Sequence, residues 1–256
     1  MKNMNSEVLI ETQQLTKNFG GLVAVDDVNY RVHEGEKCGI VGPNGAGKTT
    51  LINLISGYLK PSKGRVLYRG RDITKLKPFK RVELGIVRTF QLASLFLNMS
   101  ALENVAIAIA RFSNKYENMG KRFFSPLLDP EIHEKAYKFL EMVKLDCVAD
   151  CPVASLPYGN RRKIEILMAF AQNPKIILFD EPFAGLSDPE INEITELIGK
   201  ICQDRTIIMV EHKITKLQEI VNRLSVMYEG KLIADGKPKE VMEDPKVQEL
   251  YWRYKE

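Results

Sequence analysis

The stretch KIILFDEP, Lys175 to Pro182, runs four apolar residues into two adjacent carboxylates and then a proline. A short, continuously apolar run without alternation suits a strand covered on both faces of a parallel sheet, although a buried helix segment would read similarly. As a strand it sets Asp180 and Glu181 at its carboxyl edge, where open α/β sheets bind ligands. Taken alone, the stretch would read as a helix-capping Asp180 followed by a solvated Glu181. The rest of the chain decides between these readings.

On either side of it the chain alternates strands with helices. IVRTF (from Ile86) and TIIMVEH (from Thr206) repeat the short apolar form, and EINEITELIGKICQ (from Glu190) is helical between KIILFD and TIIMVEH. Such alternation predicts a parallel sheet with right-handed crossovers, whose strands end at one shared edge. The first third reads as strands: Val8 to Thr16, LVAVDDVNYRV (from Leu22), KCGIVG (from Lys37) and GRVLYRG (from Gly64). Between Gln91 and Lys175 the strand signals stop and three helical stretches follow, SALENVAIAIARF, PEIHEKAYKFLEMVKL and NRRKIEILMAFAQ. In the last, Ile164, Leu167, Met168 and Ala171 form one stripe, with Arg161, Arg162 and Glu165 expected away from it. FSNKYENMGKRFFSPLLD, Phe112 to Asp129, reads as an irregular surface insert, and the tail from Gly236 as short outer helices.

Bulk properties narrow the function classes. The 256 residues are 45% hydrophobic and 27% charged, ordinary for a soluble globular chain. A net charge of +4, with no concentrated basic stripe, gives no expectation of a nucleic-acid partner. Cys38, Cys147, Cys151 and Cys202 are scattered and read as idle thiols of a reducing cytoplasm rather than a metal site. No apolar run reaches the roughly 20 residues of a membrane span, and the amino terminus lacks the hydrophobic stretch of a secretion signal.

The chemistry is carried by GPNGAGKTT: Gly42, Pro43, Asn44, Gly45, Ala46, Gly47, Lys48, Thr49 and Thr50. It matches the phosphate-binding loop G-x-x-x-x-G-K-[ST], preceded by a predicted strand and followed by the apolar-periodic TTLINLIS. Glycines let successive backbone amides turn inward around phosphate oxygens, and the positive end of the helix dipole points to the same place. Lys48 can bridge the terminal phosphates of a bound triphosphate and Thr49 offers a hydroxyl to Mg²⁺. A carboxylate at a neighbouring strand end completes such a metal site, a role that Asp180 fits, leaving Glu181 to orient or deprotonate water. Gln91 and His212 end two other apolar runs at the same expected edge, while Glu211 stays unassigned. LPYGN, Leu156 to Asn160, sets a glycine at the head of an amphipathic helix, a second possible anion-binding start.

The order of these motifs resembles the nucleotide-binding subunits of ABC transporters over essentially the whole chain: phosphate loop, Gln91, LPYGN before a helix, IILFDE, then His212. That resemblance implies an α/β ABC ATPase fold over residues 1–256, with an amino-terminal antiparallel subdomain and a helical subdomain at about 92–172. It implies ATP hydrolysis, with Glu181, His212, Gln91 and Lys48 catalytic, and Thr49, Gln91 and Asp180 at the metal. Phe19 would stack on adenine. Leu156, Tyr158, Gly159 and Asn160 would close over the ATP of a second subunit in a homodimer or heterodimer. The departures are that Pro157 replaces the usual signature serine, Asn160 its glutamine, and Ser187 the usual aspartate of the following loop. Asp188 before Pro189 then reads as a helix cap.

GIVRTFQ, LENV, LPYG, DEPFAGL and VEH narrow the resemblance to the ATP-binding subunits of branched-chain amino acid importers. Urea and amide importers and the lipopolysaccharide-export ATPase are similar alternatives, and a soluble non-transport cassette is a further one. The implied partners are membrane permease subunits and, through them, a solute-binding protein. The implied location is the cytoplasmic face of the membrane.

Overall fold

The structure is a computed structural model and describes residues 7–89, 95–111 and 129–253. Gln91 and residues 112–128 of the predicted insert lie outside the described residues. The described residues fall into two compact units, one within Met1–Arg88, Lys175–Phe183 and Cys202–Glu256, the other within Thr89–Pro174 and Ala184–Ile201.

Among the described residues, the first unit holds two sheets. The antiparallel one has the order β2-β1-β4-β5, built from β1 (Val8–Phe19), β2 (Leu22–His33), β4 (Lys63–Tyr68) and β5 (Arg71–Asp72). The other has the order β10-β9-β3-β8-β7-β6 and contains β3 (Lys37–Val41), β6 (Ile86–Arg88), β7 (Ile176–Asp180), β8 (Thr206–Val210), β9 (Arg223–Tyr228) and β10 (Lys231–Gly236). Its strands are parallel except for the β9–β10 hairpin. All five residues of β7 are buried, which is why the stretch carries no alternation.

Helix α1 (Lys48–Ser56) contributes Leu51, Ile52, Leu54 and Ile55 to a core shared with Leu9 and Ile10 of β1, Ile40 of β3 and Leu178 of β7. Its far end is fixed by Arg81 of α2 (Pro78–Glu83), a buried cation donating to the carbonyls of Leu54 at 2.8 Å and Ile55 at 2.7 Å. A cation at the helix C-terminus offsets the dipole there and ties α1 to α2.

The hairpin β9–β10 is absent from the sequence reading. Its two-residue turn, Glu229 and Gly230, has φ of 45° and 80°, and Glu-Gly is a weaker signal for such a turn than Asn-Gly or Asp-Gly. The short helix α7 (Ile214–Gln218) also gave no periodic signal over its five residues. The tail does form helices, α8 (Pro238–Glu243) and α9 (Pro245–Arg253).

The second unit packs α3 (Ala101–Ala110), α4 (Pro130–Met142), α5 (Tyr158–Ala171) and α6 (Asp188–Ile201). Ser100 and Glu103 close a reciprocal capping box at the start of α3. Arg162 and Glu165, away from the apolar stripe, are buried as well: they are 3% and 7% exposed and pair at 2.6 Å. Because α5 packs against α3, α4 and α6, its charged face is enclosed too, and the two charges neutralise each other. Asp188 is the first helical residue of α6 rather than its cap, and Ser187 precedes the helix with its amide and hydroxyl on Glu190 Oε2 at 2.8 and 2.6 Å.

Candidate nucleotide-binding and hydrolysis site

Between β3 and α1 the chain turns through Gly42, Pro43, Asn44, Gly45, Ala46 and Gly47. Gly47 precedes the helix with φ 97°, and a Cβ there would lie 2.1 Å from the Ala24 carbonyl oxygen, so both conformation and space require glycine. No side chain caps α1 and no acid belongs to its first turn, so the amides at the positive helix end are not taken up by a side-chain cap. Lys48 is 5% exposed and folds back on the loop, with Nζ donating to the carbonyls of Gly42 at 2.8 Å and Pro43 at 2.9 Å. Burial lowers its pKa, opposed by the charges of Glu181 and Asp180.

The ends of β7 and β8 bring the acids beside this loop. Asp180 is fully buried, with Oδ1 accepting from the Thr49 hydroxyl at 3.3 Å and Oδ2 accepting from Arg88 at 2.7 Å. Glu181 sits just past the strand in the left-handed region, φ 49°, its amide donating to the Val210 carbonyl at 3.0 Å. Such a conformation is unfavourable for a non-glycine residue and is retained where the surroundings impose it. It turns the side chain toward His212, whose Nε2 lies 3.2 Å from Glu181 Oε1. Next to it, buried Glu211 accepts from the amides of Phe183 at 2.7 Å and His212 at 3.0 Å. Burial pushes the Glu211 pKa up to about 6. Glu211 thus pins the turns after both strands, a structural role that its position after an apolar run did not distinguish from a catalytic one.

Thr49 and Asp180 supply a hydroxyl and a carboxylate, the hard oxygen donors that suit a magnesium ion completing its shell from phosphate and water. Phe19 ends β1 with 46% of its surface exposed and the Lys17 ammonium 5.1 Å from its ring centroid, so it is not part of the core. Arg88 was missed in the sequence because an arginine closing a short strand reads as a solvated end.

In the second unit, Pro157 precedes α5 and Leu156 is buried, while Tyr158 is exposed and donates to the Ala184 carbonyl at 3.3 Å. Asn160 lies in the first turn of the helix. Gly159 packs against Glu190 so closely that a Cβ would meet Glu190 Oε1 at 2.3 Å. Hydrogen bonds from the Ser187 hydroxyl, the Ser187 amide and, to a lesser degree, the Gly159 amide hold the Glu190 pKa below the usual carboxylate range. A carboxylate of the chain itself therefore rests on the start of α5.

Residues 25–184, more than half of the chain, match the family described as ABC transporter. The chain belongs to the ABC transporter family. It is an ATP-binding cassette with ATPase activity. It is 35% identical over 251 residues to the high-affinity branched-chain amino acid transport ATP-binding protein BraF of Pseudomonas aeruginosa, a match covering 96% of this chain and 98% of that one. Among solved structures it resembles the ADP conformation of the cassette MJ1267, with TM-score 0.80, 34% identity, and 96% and 98% of the two chains covered. It also resembles a dimeric post-hydrolysis state of the cassette MJ0796 bound to ADP and Pi, with TM-score 0.76, 25% identity, and 90% and 99% coverage.

Proposed function

We propose that this chain is the ATP-hydrolysing subunit of an importer for branched-chain or other hydrophobic amino acids. The observation that carries this reading is the similarity to BraF along nearly the whole of both chains. The working form is a dimer with a second cassette, as the MJ0796 structure forms, docked on permease subunits at the cytoplasmic face. Among the described residues no helix is long and apolar enough to cross a membrane, so a permease would provide the path for solute. A solute-binding protein would deliver it.

In this reading ATP enters the loop of residues 42–50 and Lys48 exchanges its two carbonyl partners for phosphate oxygens. Phe19 stacks on the adenine. Thr49, Asp180 and Gln91 would hold Mg²⁺, which would neutralise phosphate charge. Glu181 accepts a proton from the attacking water, and His212 contacts the terminal phosphate from beside it. Leu156, Tyr158, Gly159 and Asn160 complete the site of the opposite subunit. Lys48→Ala should weaken ATP binding by about 10- to 100-fold, the worth of a charge-assisted phosphate contact. Titration with a fluorescent ATP analogue measures this, and an unchanged dissociation constant would remove Lys48 from the site.

The transport reading is tested by reconstituting the chain with permease subunits and their binding protein in lipid vesicles. Leucine-loaded binding protein should raise ATP hydrolysis several-fold over the empty form. A response to urea or an amide instead would redirect the substrate, and failure to associate with any permease would favour a soluble cassette.

A further inference from the structure

The guanidinium of Arg88 sits in a cage built from α1 and β7. Nη2 donates to Asp180 Oδ2 at 2.7 Å, Nη1 donates to Asn53 Oδ1 on α1, and the guanidinium carbon lies 5.6 Å from the ring centroid of Tyr58, just past the end of α1. The pair is enclosed, with the side chains of Arg88 and Asp180 9% and 0% exposed. The two oxygens of Asp180 are thereby divided: Oδ2 faces Arg88 and Oδ1 faces the Thr49 hydroxyl. A buried carboxylate with one oxygen clamped cannot rotate about its last torsion without breaking a charge-assisted bond.

We propose that Arg88 is a positioning residue for hydrolysis. It fixes the Asp180 carboxylate so that Oδ1 stays directed, with Thr49, at the place where Mg²⁺ is held. The inference rests on the reading of Asp180 as the metal-holding acid. Arginine suits the task better than lysine because its planar fork engages Asp180 and Asn53 at once while the cation lies over the Tyr58 ring. Since Asn53 belongs to the helix that begins at Lys48, the same clamp ties the metal acid to the phosphate-binding element.

The test measures binding, not turnover: the dissociation constant of β,γ-imido ATP with Mg²⁺ and with EDTA, whose ratio is the gain that metal brings. Arg88→Met should cut that gain about tenfold, as removal of groups that orient metal-holding residues generally does, and the ratio cancels any change in the EDTA constant itself. Asp180→Asn should cut it too, and the double variant should be no worse than Asp180→Asn alone, because Arg88 acts through Asp180. Additive losses, or a gain in Arg88→Met within twofold of the parent, would overturn the proposal. Full retention of the gain in Asp180→Asn would instead overturn the underlying reading of Asp180. Should Arg88→Met fail to fold, Arg88→Lys keeps the charge but loses the fork. A gain reduced at least threefold in that variant supports the clamp, and an unchanged gain rejects it.

Discussion

Glu181→Gln is expected to bind ATP as the parent does and to lose turnover by about 10²- to 10⁴-fold, the usual worth of general base catalysis. The substitution is nearly isosteric and leaves the left-handed backbone at φ 49° with its amide bond to Val210 intact. Asp180 keeps both of its contacts, to Thr49 and Arg88. What disappears is the carboxylate's charge, which also acts on Lys48, and with it the capacity to accept a proton from water. With ATP bound but uncleaved, the dimer should accumulate, visible as an ATP-dependent shift in size-exclusion chromatography. Phosphate release and nucleotide titration on the same preparation separate the two effects. Turnover within a few fold of the parent would transfer the base role elsewhere, and His212, with Nε2 3.2 Å from the acid, would be the first residue to examine.

The parts of this site that could be read in the sequence are those where chemistry and backbone geometry coincide. Gly47 is required by its own φ and by the Ala24 carbonyl, so the loop pattern carries its structure with it. Asp180 ends and Glu181 follows a strand with all five positions buried; its unbroken apolar run fits a covered strand, and the phosphate loop elsewhere in the chain favours that reading over a buried helix. Contacts between residues distant in sequence were not legible. Arg88 and Asp180 are 92 positions apart, and nothing local to IVRTF shows that its arginine turns inward. The burial of Arg162 and Glu165, only three positions apart, was not legible for a related reason: a helical wheel separates polar from apolar faces, but not a helix with one packed side from a helix enclosed by three others. The β9–β10 hairpin escaped for a local reason, since Glu229 takes a positive φ that its residue type does not advertise.

Gly159→Asp should leave ATP binding to the isolated subunit within about twofold of the parent, the independence expected of separate sites, yet abolish hydrolysis and the ATP-dependent dimer. Gly159 is the second residue of α5, at the helix end where the opposite subunit's phosphate is proposed to meet backbone amides. Any Cβ at this position would sit 2.3 Å from Glu190 Oε1, and an aspartate would add a second negative charge beside a carboxylate already held by Ser187 and the Gly159 amide. The crowding against Glu190 lies within the chain, whereas the aspartate's charge and bulk at the helix end oppose closure rather than binding to the nucleotide's own loop. Local damage is separated from lost closure by the double variant Gly159→Asp, Glu190→Ala. Removing the Glu190 carboxylate should recover the melting temperature lost through crowding, while the aspartate still repels phosphate and turnover stays absent. The measurements are ATP affinity, dimer formation in the Glu181→Gln background, and phosphate release. If Gly159→Asp hydrolyses at the parent rate, or if the Glu190 change alone restores turnover to the double variant, LPYGN does not contact the nucleotide and the hydrolysis site is complete within one subunit.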